Sequence, residues 1–356
     1  MWRPPCGRGL QAGTFLGSNV MSERVSVIGA GSFGTALSKV FAENGHRTVL
    51  WARDAETARK ISEAHRHPRY LTSVQLPSGL KATSDLAEAV KDATVLVCAV
   101  PSHAVRETFK QVGTLLGPET FILSATKGIE NDSLMTMAQV LQDVLPKDSH
   151  ARTAYLSGPS FAAELTRRVP TAVTIASQSH DTATRMQHMV SNDYFRAYTT
   201  DDVMGVELAG ALKNVVAIGV GCAEGLGFGY NARAAMITRG LAEMARLGMK
   251  MGANPMTFAG LAGVGDLMLT CFGELSRNRT VGFQLGQGKK LEEILKNLGM
   301  VAEGVKTAKS AWDLARRENV DMPLAQAAYQ IIYEGRAPRD IVYELMGRAL
   351  RKELDH

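Results

Sequence analysis

Two lysines, an aspartate and an arginine–asparagine pair carry most of the chemistry readable in this 356-residue chain. Lys127 comes two residues after the stretch 121–125, at the carboxyl end of an expected strand, where open α/β sheets bind ligands. Lys213 lies in Glu207-Leu-Ala-Gly210-Ala-Leu-Lys213-Asn214, a helical pattern that is apolar or small nearly all round and therefore belongs in an interior. A desolvated lysine beside a second cation such as Lys127 gives up its proton more readily and approaches the range of a general acid or base. The plain alternative is a lysine that packs its stem and snorkels its head to water, with Asn214 a helix residue of no special role. Asp266, at the end of Gly260-Leu-Ala-Gly263-Val-Gly265-Asp266, is suited to orient or tune Lys213 across a cleft. Arg277 and Asn278, in Ser276-Arg277-Asn278-Arg279, offer donors matched to a phosphate. Taken singly, each of these is equally an exposed charge or a helix cap.

These residues need a scaffold, and its clearest mark is Val25-Ser-Val-Ile-Gly29-Ala-Gly31-Ser-Phe-Gly34-Thr-Ala-Leu. A β-branched run feeds a glycine turn and then a helical pattern. Gly29 permits the tight turn, Gly31 lets backbone approach a pyrophosphate, and Gly34 lets the helix pack close to the sheet. The anion would rest on a helix N-terminus, favoured by free N–H groups and the helix dipole. Strands are expected at 25–28, 48–51, 94–100, 121–125, 153–157 and 172–175, with a helix at 35–44 stopped by Gly45. Beyond residue 201 the texture changes, and 206–221, 231–251, 291–298, 305–318 and 323–333 read as helices. The fold class is therefore α/β, an N-terminal Rossmann-like doubly wound sheet in 21–200 followed by an all-helical C-terminal domain in 201–356. A hinge near 199–202 would open a ligand cleft.

Composition narrows the function classes. A net charge of +5 is spread along the chain without a Lys/Arg block, which attracts phosphorylated molecules mildly and speaks against nucleic acid as a partner. Cys6, Cys98, Cys222 and Cys271 lie far apart without a CxxC, arguing against zinc or a disulfide framework and suiting a reducing compartment. His65 and His67 make a poor metal site by themselves, so no metal is assigned. Residues 1–20 hold Arg3 and Arg8 but no acidic residue, and Met21 precedes the first strand; they read as a disordered leader or an upstream start. No apolar run is expected to reach the length of a membrane span, and the chain is expected in the cytoplasm, with an organelle as the lesser alternative.

The end of the second expected strand bears on the cofactor, because the residue there meets the adenine ribose. An acidic residue accepts from a 2′-hydroxyl, whereas arginine accommodates a 2′-phosphate. Here Thr48-Val-Leu-Trp51 continues into Ala52-Arg53-Asp54. Arg53 comes first and Asp54 is free to cap a helix beginning near Ala55, so the reading leans to NADPH over NADH. A solvated surface arginine is the alternative.

With these segments assembled, the chain from about residue 25 to 351 resembles the NAD(P)-dependent glycerol-3-phosphate dehydrogenases, especially the bacterial type. The shared motifs are GAGSFGTAL, LWARD, VPSHAVR, ATKGIE, LSGPSFAAE, ELAGALKNVVAIGVG, GLGFGYNARAA, GLAGVGDLMLTC, SRNRTVG and VAEGVKTA. The resemblance implies reversible hydride exchange between NAD(P)H and the triose phosphate dihydroxyacetone phosphate, giving sn-glycerol 3-phosphate for glycerophospholipid synthesis. It also implies a C-terminal domain like that of 6-phosphogluconate dehydrogenase and a homodimer formed through it. By this resemblance Lys213 is the proton donor and acceptor, Lys127 polarises the carbonyl and touches both ligands, and Asp266 stands beside the lysine pair. Gly158, Ser160, Ser276, Arg277 and Asn278 would bind substrate. Gly29, Gly31, Ser32, Phe33, Gly34, Arg53, Tyr70, Ala162, Arg277, Val301 and Glu303 would line the dinucleotide. Two rivals are weighed. Ketopantoate reductases and 3-hydroxyacid dehydrogenases share the architecture but give no reason for SRNR, and an NADPH-binding redox sensor without catalysis needs neither Lys127 nor Lys213.

Overall fold

Short β-branched runs separated by helical stretches place strands side by side with their carboxyl ends along one edge, and the computed structural model arranges them so. It describes residues 22–299, 302–350 and 352–353. The leader at 1–20, Cys6 and Val301 lie outside the described residues. The sheet contains β1 (Arg24–Ile28), β2 (Arg47–Trp51), β3 (Lys81–Thr83), β4 (Val95–Cys98), β5 (Phe121–Ser124), β6 (Thr153–Ser157), β7 (Thr171–Ala176) and β8 (Phe195–Thr200). Their order is β3-β2-β1-β4-β5-β6-β7-β8. Ile28 registers with Trp51 on one side and Cys98 on the other, so β1, β2 and β4 end level at the switch in strand order. Ligands of open α/β sheets bind at such a switch.

Two departures from expectation have local causes. The pair β6–β7 is antiparallel, whereas β7–β8 run parallel to each other. The connection into β7 holds only the five-residue helix Ala162–Thr166, and it turns the chain back beside β6 instead of carrying it over the sheet. β3 escapes the sequence pattern because Lys81-Ala-Thr has no apolar alternation and is three residues long. β8 does alternate, with Phe195 and Ala197 buried and Arg196 and Tyr198 exposed.

The helical part is organised around Val203–Gly225, a 23-residue helix hereafter called the core helix. It and the stretch Pro255–Phe272 are long and apolar enough to cross a membrane by length and composition, which corrects the expectation that no run reaches that length. In the fold the core helix window is 83 % buried by its own protein, wrapped by Tyr230–Lys250, Arg277–Gly286, Glu303–Arg317 and Pro323–Tyr333. It meets Arg277–Gly286 at backbone contact: a Cβ on Gly221 would lie 2.2 Å from the Arg279 carbonyl oxygen, and one on Gly282 2.0 Å from that of Ile218. This crossing fixes where the Arg277 segment stands. At Gly210 the core helix touches the sheet edge, since a Cβ there would come 2.8 Å from Ser157 Oγ and 3.4 Å from the Lys127 stem.

Candidate active site

Asp266 opens the helix Asp266–Phe272 with its carboxylate sunk at the junction of sheet and helices, its side chain 1 % exposed. Asp266 Oδ2 accepts from Lys127 Nζ at 2.5 Å, and Oδ1 accepts from Lys213 Nζ at 2.6 Å. One carboxylate therefore ties together an ammonium group from the end of β5 and another from the core helix. Lys213 Nζ also donates to Thr270 Oγ1 at 2.8 Å, while the Thr270 hydroxyl donates to the Asp266 carbonyl at 2.6 Å. Lys127 Nζ reaches the Gly158 carbonyl at 3.3 Å, which accepts from Ser160 Oγ at 3.1 Å. Gly158 has φ +140°, and a Cβ there would press to 2.9 Å from Val173 Cα, so the turn that presents this carbonyl requires glycine.

Lys213 is buried and does not snorkel. Burial first, and the nearby Lys127 charge after it, bring its ammonium down to about 8, although the Asp266 carboxylate and its hydrogen bond pull upward. Burial alone would raise the Asp266 carboxyl; Lys127 and Lys213 outweigh it and hold the group below the ordinary carboxylate range. The cluster thus combines a fixed anion, a lysine able to change protonation near neutral pH, and a second cation.

Ser276 caps the helix Arg277–Gly286, its Oγ accepting from the Arg279 amide at 3.3 Å. Burial lowers the Arg277 guanidinium from its ordinary value, opposed by Glu303 and Tyr70, so these three residues share one environment. Asn278 is engaged in the scaffold with one of its two amide N–H donors and its carbonyl oxygen. Its Nδ2 donates to Asn214 Oδ1 at 2.8 Å and its Oδ1 accepts from the Gly304 amide at 3.0 Å. Asn278 and Asn214 together strap three helices behind the lysine pair.

On the sheet side, Gly29 has φ +123°, and a Cβ on it would lie 2.6 Å from the Ala99 carbonyl oxygen. Gly31 caps Ser32–Glu43 without a side-chain hydrogen bond, and a Cβ on it would meet nothing within 4 Å. A Cβ on Gly34 would fall 1.9 Å from the Gly29 carbonyl oxygen, so turn and helix are locked together. This open, uncapped helix start fits a dinucleotide pyrophosphate. Phe33 and Ala162 pack at the rim of the same apolar cluster as Ala30. His67 braces the turn: its Nδ1 accepts from the Arg69 and Tyr70 amides at 3.0 and 2.9 Å, which leaves Nε2 to donate to the Ala30 carbonyl at 2.9 Å. Tyr70 sits beside it, ring centroids 5.0 Å apart. Asp54 accepts from the Thr57 amide at 2.7 Å and hydroxyl at 2.6 Å as the cap of Ala55–Ala64. That carboxylate is spent on its helix, and Arg53 is left at the end of β2. Glu303 crosses from the helical part to the loop after β4, accepting from Ser102 Oγ at 2.6 Å.

Comparison with known proteins meets this geometry from both ends of the chain. The family model for the NAD-dependent glycerol-3-phosphate dehydrogenase N-terminus matches residues 24–183, and that for its C-terminus matches residues 202–343. The chain belongs to the NAD-dependent glycerol-3-phosphate dehydrogenase family. It is 51 % identical over 330 residues to the glycerol-3-phosphate dehydrogenase [NAD(P)+] of Leptospira biflexa serovar Patoc, covering 93 % of this chain and 99 % of that one. The protein of the same description from Myxococcus xanthus is 50 % identical, with 93 % and 99 % covered. The crystal structure of glycerol-3-phosphate dehydrogenase from Coxiella burnetii superimposes with a TM-score of 0.87 at 36 % identity, covering 92 % of this chain and 99 % of that one. A ketopantoate reductase from Ralstonia eutropha reaches a TM-score of 0.57 at 15 % identity and shares the fold alone.

Within this dehydrogenase fold, Thr270 is a site residue given no role from the sequence, although it lies in the segment GLAGVGDLMLTC. Its place four residues after Asp266, on the same helix face, is the signal that would have found it. Glu207 lies six residues before Lys213 on the core helix, buried, its Oε2 accepting from the Ala138 amide at 2.7 Å. Cys98, Cys222 and Cys271 are buried free thiols, with burial pushing each up to about 12.

Proposed function

We propose that this chain catalyses reversible hydride transfer between NAD(P)H and dihydroxyacetone phosphate, forming sn-glycerol 3-phosphate. The observation that carries this reading is the Asp266 carboxylate holding Lys127 and Lys213 on its two oxygens at the carboxyl edge of the sheet. Family membership and the names of relatives half identical to it support the same reaction. When bound, the nicotinamide gives or takes the hydride at C2 of the triose.

The chain's own residues do the rest. Lys213 donates a proton to the oxygen at C2 in reduction and removes it in oxidation, and a value of about 8 leaves both forms accessible. Lys127 stands where it stabilises the negative charge that grows on that oxygen. Asp266 aims both ammonium groups and, by its charge, keeps Lys213 from losing its proton altogether. Thr270 fixes the Lys213 rotamer. Arg277 at the start of its helix recognises the substrate phosphate, with Gly158 and Ser160 forming the opposite turn. Gly29, Gly31, Ser32, Phe33 and Gly34 cradle the dinucleotide, Ala162 faces its nicotinamide side, and Tyr70, Arg277 and Glu303 close over it. Arg53 favours the 2′-phosphorylated form. Residues 21–200 thus bind the dinucleotide and 201–356 the substrate, and a homodimer through the helical part is part of the proposal. Its product is the backbone of glycerophospholipids, and the cytoplasm suits a supply of that kind.

The test is a matrix of dihydroxyacetone phosphate and dihydroxyacetone against NADH and NADPH with purified protein, followed at the NAD(P)H absorbance band. Turnover confined to the phosphorylated triose is expected. Equal turnover of the unphosphorylated triose would discard the assignment.

A further inference from the structure

The level ends of β2 and β4 flank β1, and the loop after each carries a basic residue. Arg53 stands two residues past Trp51, and His103 follows Ser102 in the turn Ser102–Ala104 after β4. The helical part adds a third. Glu303 opens Glu303–Arg317 and is held by Ser102, with Oε2 accepting from Oγ at 2.6 Å and Oε1 from the amide at 3.4 Å. Lys306, three residues on and so on the same face of that helix, is thereby brought beside His103. The fields meet: the His103 imidazole is lowered first by burial and then by Lys306 and Arg53, with Glu303 opposing.

Among the described residues no ion pair includes Arg53, His103 or Lys306. Asp54, the nearest carboxylate in sequence to Arg53, is committed to Thr57. Glu303 is committed to Ser102. Lys306 occupies the fourth position of its helix, where the dipole disfavours a cation and favours an anion. Two cations and an imidazole gathered outside any ion pair at a sheet edge, with the neighbouring Glu303 carboxylate turned to Ser102, describe a receptor for a compact polyanion.

We propose that Arg53, His103 and Lys306 form a three-sided wall for the 2′-phosphate of NADPH, and that Lys306, delivered by the helical part, sets the preference for the phosphorylated dinucleotide. The wall rests on the dinucleotide reading given above. It makes cofactor choice a property of both halves of the chain, because Lys306 reaches the corner only while Glu303 holds Ser102.

Isothermal titration with 5′-AMP and 2′,5′-ADP tests the wall without turnover, since the two probes differ by the 2′-phosphate alone. The full chain should bind 2′,5′-ADP at least about tenfold more tightly, the size of one charge-assisted contact. Lys306→Ala should reduce the ratio of the two Kd values by about tenfold, and Lys306→Glu should invert it. His103→Ala and Arg53→Ala should each lower it too. A wild-type chain that binds both probes alike, or a ratio within twofold of wild type in both Lys306 variants, overturns the wall. Lys306 is exposed, so neither variant should disturb folding, and a thermal melt checks this. If the unaltered protein binds neither NADH nor NADPH, the dehydrogenase reading fails as well; if it reduces dihydroxyacetone phosphate while the ratio ignores Lys306, only the wall is lost.

Discussion

Lys213 Nζ stands 2.6 Å from Asp266 Oδ1, with 9 % of the lysine side chain and 1 % of the aspartate side chain exposed. A pair so dry is poorly screened, so each partner's charge governs the other's protonation far more than it would at the surface. The protonation of Lys213 therefore depends on groups set by three different elements, and the predictions below separate them.

Removing the lysine head should remove proton transfer and little else. Lys213→Ala is expected to lower kcat by about 10²- to 10⁴-fold, the contribution of a positioned general acid or base. NADPH affinity, read by fluorescence titration, should stay near that of the unaltered protein. A kcat within a few-fold of wild type would take Lys213 out of this role.

The pH profile carries a signed test. With Lys213 titrating at about 8, the reduction rate should fall as pH rises through that value and the oxidation rate should rise, since one direction needs the ammonium and the other the free amine. Asp266 raises the Lys213 value and Lys127 lowers it. Asp266→Asn should therefore shift the midpoint to lower pH and Lys127→Met to higher pH, whatever either does to the maximal rate. Midpoints that move in the same direction would contradict the arrangement.

Arg277→Ala is expected to raise KM for dihydroxyacetone phosphate by at least about tenfold, as loss of a charge-assisted phosphate contact would. Asn278→Ala should in addition cost stability, because that amide is also bonded to Asn214 and Gly304. It should lower the melting temperature along with activity, the loss of two buried hydrogen bonds costing about 1–3 kcal/mol. A KM effect of Arg277→Ala confined to the dinucleotide would reassign that residue.

How much of this was legible follows from where each signal resides. The glycine turn, the lysine after β5 and the core helix, apolar or small nearly all round, are local patterns, and the sequence displays them because strand, turn and helix each impose their own residue types. Asp54 as a cap was legible for the same reason, from its place ahead of Ala55. The strap from Asn278 to Asn214 and Gly304 was not legible, because it depends on how three helices cross. Thr270 and Ser102 were silent for that reason too: a hydroxyl acquires its role only when tertiary structure brings Lys213 or Glu303 to it. The antiparallel step at β7 was hidden because strand direction is set by the connection, while the apolar run Thr171–Ala176 reads the same either way.

Glu207 offers a test of the scaffold beneath the site. Burial pushes its carboxyl up to about 8, against the opposing pull of the Ala138 and Met137 amides and the Lys127 charge. The unfolded chain would titrate this group near 4.5, so the folded form binds the extra proton between the two values. Its contribution to stability is then complete below pH 4.5 and is lost as pH rises through about 8. Glu207→Gln keeps an acceptor for the Ala138 amide and cannot ionise. Melting temperatures of the two proteins should differ least near pH 5 and diverge as pH approaches 8, with the glutamine variant increasingly the more stable. A difference independent of pH would mean that Glu207 is ionised in the folded protein throughout, held by the helix start it caps.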